Sequence, residues 1–174
     1  MNTQKSLDSI KQDPVYVKYK NVLRLVKNGS DLVKIREEAD FLHKKKLSRK
    51  LHEMRIAPAA LQDAVANDLS NRARMVELKA FVLNQLELLS STLSLTKKHL
   101  RVEYQDVFSA FGKTRDMQTL LLDKILSSGN EVLSQLESTN TLLDVYIKDI
   151  DQSGYAMSTI KETLILFLKA KEVV

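Results

Sequence analysis

Apolar residues in the last third of the chain recur every seven positions. One row reads Leu122, Gly129, Leu136, Leu143, Ile150, Met157 and Leu164. A second row, three residues further on, reads Ile125, Val132, Thr139, Tyr146, Ser153, Ile160 and Phe167. Six positions of the first row and five of the second are apolar. A stripe repeating every ~3.5 residues suits a helix lying along another helix, because slight under-winding keeps one seam facing the partner. The pattern predicts one continuous helix from about Arg115 to Ala170, roughly 80 Å long at ~1.5 Å per residue. Ser127-Ser128-Gly129-Asn130 and Gly154 are the points where it could break. The register crosses both, and each Gly costs only about 1 kcal/mol relative to Ala.

Upstream, Asp13-Pro14 reads as a helix start, with the carboxylate capping free N–H groups and Pro in the first turn. The helix predicted over 14–27 directs Val15, Val22, Leu25 and Val26 to a core, and Asn28-Gly29 stops it through a left-handed terminal residue. A helix over 31–55 follows, with Leu32, Ile35, Ala39, Leu42, Leu47, Leu51 and Met54 as its stripe. Ile56-Ala57-Pro58 is the clearest break. Beyond it, Leu78, Val82, Leu86, Leu89, Leu93, Leu100, Tyr104, Val107 and Phe111 step by threes and fours, as on a helix buried along one side. The polar segment Asp68 to Asn71 is a point of possible interruption, and Gly112-Lys113-Thr114 is a turn between helices.

These elements define an all-α fold. Residues 58–174 form a long antiparallel helical hairpin or coiled-coil bundle, and residues 1–57 form a small basic helical head. Leu88, Leu95, Leu121, Leu126, Leu142, Ile147, Ile165 and Leu166 lie off the main seam. Two helices cannot cover them all, so either the N-terminal helices fold back on them or other copies pack alongside; the second is the leading expectation, with the seam residues Leu122, Ile125, Val132, Leu136, Leu143, Tyr146, Ile150, Met157, Ile160, Leu164 and Phe167 holding a homo-oligomer or another helical protein together.

Composition agrees with this and removes several chemistries. Four Gly, two Pro and no Cys or Trp in 174 residues disfavour a strand-rich fold and exclude disulfides, zinc ribbons and thiol nucleophiles. The opening MNTQKSLDSIKQDP has no apolar core, and the stretch Leu164 to Leu168 is too short to cross a bilayer. The chain therefore reads as cytoplasmic, or as part of a virion or other intracellular assembly, with a membrane role unlikely. The three histidines, His43, His52 and His99, form no Glu-x-x-His or His-x-x-x-His pair, and no Gly-rich phosphate loop or Gly-x-Ser-x-Gly elbow occurs. No enzyme activity, cofactor or metal is expected.

Charge changes the picture more. Residues 1–58 carry 14 Lys and Arg against 7 Asp and Glu, whereas 59–174 carry 13 against 15. All the excess positive charge is thus in the first third, which fits either an anionic partner or a solvated Lys-rich face. Lys44, Lys45, Lys46, Arg49, Lys50 and Arg55 form the densest run, and a row of cations of this kind can sit along phosphates and release counterions. Arg72 and Arg74 are a second, spread candidate. Lys97, Lys98, His99 and Arg101 are a third group, with Glu103 and Asp106 placed to pair locally.

The stretch Lys97-Lys98-His99-Leu100-Arg101-Val102-Glu103-Tyr104-Gln105 resembles a helix of the T4-type phage recombination mediators. Gly154-Tyr155-Ala156-Met157, with Ile160-Lys161 and Phe167, resembles their C-terminal helix. The resemblance covers short pieces of the chain and implies a small helical oligomer that binds single-stranded DNA and helps load a recombinase. The leading expectation is a non-enzymatic, oligomerising all-helical scaffold or adaptor of a macromolecular assembly. The alternative is a nucleic-acid-binding accessory protein, holding DNA through its basic N-terminal helices and serving recombination or replication.

Overall fold

The computed structural model describes residues 7–45, 58–112 and 114–172. The side chains of residues 7, 58–61, 164 and 167–172 lie outside that description. All elements are helices: α1 (Leu7–Gln12), α2 (Pro14–Gly29), α3 (Leu32–Lys44), α4 (Pro58–Glu103), α5 (Gln105–Phe111), α6 (Arg115–Ile125) and α7 (Ser127–Glu172). The all-α class expected from composition holds, and no strand occurs among the described residues.

Helix α2 starts where Asp13-Pro14 predicts. Asp13 Oδ1 accepts the N–H groups of Val15 at 2.8 Å and Tyr16 at 3.2 Å. Its buried face differs from the expected one: Tyr16, Tyr19, Leu23 and Val26 point inward, while Leu25 is 66% exposed. The tyrosines bring the larger apolar bodies and set the phase of the helix. Gly29 stays helical and Ser30 closes the end, its N–H donating to Val26 O at 2.9 Å. No described glycine has positive φ, so the left-handed stop predicted at Gly29 is not used.

Helix α4 opens at Pro58 as expected and runs 46 residues, about 70 Å, straight through the polar segment 68–71. It ends because Tyr104 leaves helical geometry, at φ −117° and ψ 26°. The change of phase there buries Val107 and Phe108 and turns Phe111 outward at 63% exposure, against the predicted ladder. Gly112 and Thr114 make the turn. Thr114 Oγ1 accepts the Met117 N–H, and a Cβ on Gly112 would lie 2.7 Å from that of Met117.

The predicted continuous C-terminal helix is interrupted once. Leu126 leaves helical geometry at φ −99° and ψ 10°, separating the 11 residues of α6 from the 46 of α7. The Leu126 carbonyl accepts N–H groups from Gly129 at 2.9 Å and Asn130 at 3.1 Å, and the Tyr19 hydroxyl at 3.4 Å. This crowding of acceptor bonds marks the tightened turn. Gly129 and Gly154 both lie inside α7 and break nothing.

The chain forms two compact units: residues 1–32 with 82–138, and residues 33–81 with 139–174. Pro58 thus marks a change of helix, while contacts place α1 and α2 in the first unit and α3 in the second. In the first unit, Gly129 sits against Leu93 and Tyr19, and Lys97 Nζ pairs with Asp123 Oδ1 at 2.7 Å. These contacts run antiparallel along α4. In the second unit, Arg72 pairs with Asp151 and Lys79 with Asp144, each at 2.5 Å. Seven residues forward on α4 match seven back on α7, so those segments are also antiparallel. Arg36 Nε donates to Thr139 Oγ1 at 2.8 Å, and His43 meets Asp149, so α3 runs parallel to α7. Met75, Ile147 and Ile150 form this unit's core, with Leu42 and Tyr146 packed against them. No helix among the described residues is long and apolar enough to cross a membrane.

Candidate functional site

The expected basic cluster lies only partly within the described residues. Lys44 and Lys45, at the end of α3, are exposed, and the Lys45 ammonium rests 4.2 Å over the Phe41 ring. Lys46, Arg49, Lys50 and Arg55 fall outside the described residues. Arg72 and Arg74 each meet carboxylates of the chain. Arg72 forks onto Asp151, with Nε to Oδ1 at 2.5 Å and Nη2 to Oδ2 at 3.2 Å. Arg74 bonds Glu38 at 2.7 Å and Glu77 at 2.9 Å. Each guanidinium is paired with carboxylates of the chain itself.

In the third group, Lys97 pairs with Asp123 and His99 with Asp13, both far away in sequence. Asp13 is thereby the hub of the first unit. Its Oδ1 takes two N–H groups of α2, and its Oδ2 takes His99 Nε2 at 2.9 Å and the Tyr104 hydroxyl at 3.2 Å. Tyr104 Oη lies also 3.3 Å from the Ser9 carbonyl. A carboxylate offers about four acceptor positions, and all are in use. Burial pushes the Asp13 carboxyl up, but hydrogen bonds from His99, the Tyr16 N–H and the Val15 N–H outweigh it and hold the group below the usual carboxylate range. Burial, and then the neighbouring Asp13 charge, push the Tyr104 phenol above its ordinary value. The hub ties α1, α2 and α4 together, and it leaves Asp13 no free lone pair with which to take a proton from a substrate.

A second polar cluster lines the other unit. The His43 ring stacks on Tyr146 with centroids 4.1 Å apart and planes within 6°, and its Nε2 lies 2.7 Å from Asp149 Oδ2. The Tyr146 hydroxyl donates to Asp40. His43, read from sequence as part of the basic run, is therefore a packing residue with a side chain only 13% exposed. No group of three or more His, Asp or Glu side chains able to hold a metal occurs among the described residues.

The heptad seam is covered by the chain itself. Leu122, Leu136, Leu143, Ile150 and Met157 are buried, as are Val132 and Thr139 of the second row. Ile125, Tyr146, Ser153 and Ile160 are half-buried, and the side chains of Leu164 and Phe167 lie outside the description. Leu126 and Ile147, read as surplus, are buried too.

No family model matches this chain, and no curated protein or solved structure is significantly similar to it. The likeness to the recombination mediators rests on the short stretches quoted above alone.

Proposed function

We propose that this protein is a non-enzymatic, all-helical scaffold that assembles through helix-to-helix docking of two copies. The observation that carries this reading is a stripe on the outer face of α4: Ala66, Leu69, Ala73, Val76 and Ala80. All five are exposed, Leu69 to 59% and Val76 to 41%. Their steps of three and four are those of a coiled-coil seam, and no charged residue interrupts the row. The two registers differ in size, alanines in one and Leu and Val in the other. In an antiparallel pair each layer then sets a large side chain against a small one, whereas a parallel pair would stack alanine on alanine. That complementarity favours a two-fold pair of identical chains. Antiparallel pairing of α4 within each unit supports the long hairpin as the frame that presents the stripe.

Light scattering tests the reading. The expected result is a dimer that Leu69→Glu with Val76→Glu converts to a monomer of unchanged helicity. A monomeric wild type at high micromolar concentration refutes it. A second reading, a nucleic-acid accessory protein of recombination or replication, draws support from the exposed Lys44 and Lys45 and from the cation surplus before Pro58.

A further inference from the structure

We propose that the outer face of α2 is a contact surface for the phosphate backbone of a nucleic acid. The proposal rests on the nucleic-acid reading and is independent of the scaffold one. Helix α2 has 16 residues and carries Lys18, Lys20, Arg24 and Lys27 with no Asp or Glu. All four cations are exposed. By contrast, on α4 Arg72, Arg74, Lys79 and Lys97 each have an acidic partner. On α2 no ion pair reaches these four among the described residues, and Lys20 makes only a ring contact, 5.7 Å from the Tyr16 centroid.

Geometry concentrates this charge. Lys20, Arg24 and Lys27 are spaced i, i+4, i+7 and so stack over two turns, about 10 Å along the axis. With Asn21, Leu23 and Asn28 they line a shallow open groove of ≈ 360 Å³. Asn amides and Lys and Arg cations are the donors that bind phosphate oxygens without reading sequence. A lipid surface fits less well. The two aromatics of α2, Tyr16 and Tyr19, are 8% and 0% exposed and face the core, so the helix lacks the interfacial anchors of a membrane-lying helix.

Binding of a fluorescent DNA duplex by the full chain, followed by anisotropy across a salt series, tests this. Three phosphate contacts contribute about 2.7 to the logarithmic salt slope. In Lys20→Gln/Arg24→Gln/Lys27→Gln that slope falls by about this amount, and the affinity lost between about 50 and 200 mM salt shrinks by roughly 40-fold. Helicity by circular dichroism stays unchanged, and Lys20→Arg/Arg24→Lys/Lys27→Arg binds like wild type. A triple Gln variant that keeps the wild-type slope, while Lys44→Gln/Lys45→Gln loses it, overturns the α2 site and leaves the nucleic-acid reading standing. Failure of the wild type to bind duplex or single-stranded DNA at low salt overturns both. Binding to phosphatidylserine vesicles or polyglutamate without binding to DNA overturns the proposal as well.

Discussion

Gly129 and Gly154 lie in the same helix, and alanine at the two positions should move stability in opposite directions. At Gly129 a Cβ would sit 2.3 Å from Tyr19 Oη, 2.9 Å from Tyr19 Cε2 and 2.9 Å from Leu93 Cδ1. Tyr19 is 0% exposed and cannot swing away into solvent. Alanine gains about 1 kcal/mol of helix propensity there. Against this, overpacking a closed core costs about 1–3 kcal/mol. Displacing the Tyr19 hydroxyl from the Leu126 carbonyl costs about 1 kcal/mol more. The net is a destabilisation of about 1–3 kcal/mol, a fall in Tm of roughly 3–10 °C for a chain of this size. At Gly154 a Cβ meets nothing within 4 Å. Gly154→Ala therefore keeps the propensity gain and raises Tm by about 2–4 °C. Thermal melts followed by circular dichroism measure both. In a Gly129→Ala background, Tyr19→Phe removes the closest clash and recovers part of the loss. If Gly129→Ala is as stable as wild type or more so, the close approach of α2 to α7 described here is wrong.

Asp13→Asn should destabilise the protein by about 2 kcal/mol at neutral pH, since it weakens a helix cap and removes the charge facing His99 and Tyr104. The folded carboxyl lies below its unfolded value of about 3.9, so the contribution is present above that pH and disappears as pH falls through the folded value. Urea titrations should therefore show the two proteins converging only in acid; a gap constant down to about pH 2 contradicts the assigned hydrogen bonds. Leu143→Ala, at a 0% exposed seam position, should cost about 2–5 kcal/mol in the same assay. Arg72→Ala, whose side chain is 40% exposed, should cost no more than about 1 kcal/mol. Equal losses from these two variants would contradict the ranking of core over surface pairs.

Much of the architecture was legible along the chain because helix signals are local. Asp13-Pro14, Pro58 and Gly112 to Thr114 mark the ends where helices begin or turn, and each acts through groups only a few residues apart. The buried row from Leu122 to Met157 was legible too, since a seven-residue repeat records which side of a helix is covered. It could not record what covers it. Of the surplus apolar residues, Leu126 and Ile147 are buried by the chain itself, whereas Leu88, Leu95, Ile165 and Leu166 are exposed. The candidate sites were less legible. The second half of the Asp13 hub comes from His99 and Tyr104, 86 and 91 residues away. Local pairing rules reach only as far as Glu103 and Asp106, as partners for Lys98 or Arg101. The cations of α2 were passed over because Lys44 to Arg55 is denser in sequence.

By itself, the amino-acid order determined the class of fold, the helix starts and the covered side of the last helix, because these depend on propensity, capping and periodicity within a turn or two. Tertiary structure decided where Tyr104 and Leu126 interrupt the helices and which carboxylate meets which cation. It also decided which apolar residues remain in water, Leu69 and Val76 on the outer face of α4 among them. Those outcomes depend on distance between segments far apart in the chain, and charge neutralisation and burial are set only when the segments meet.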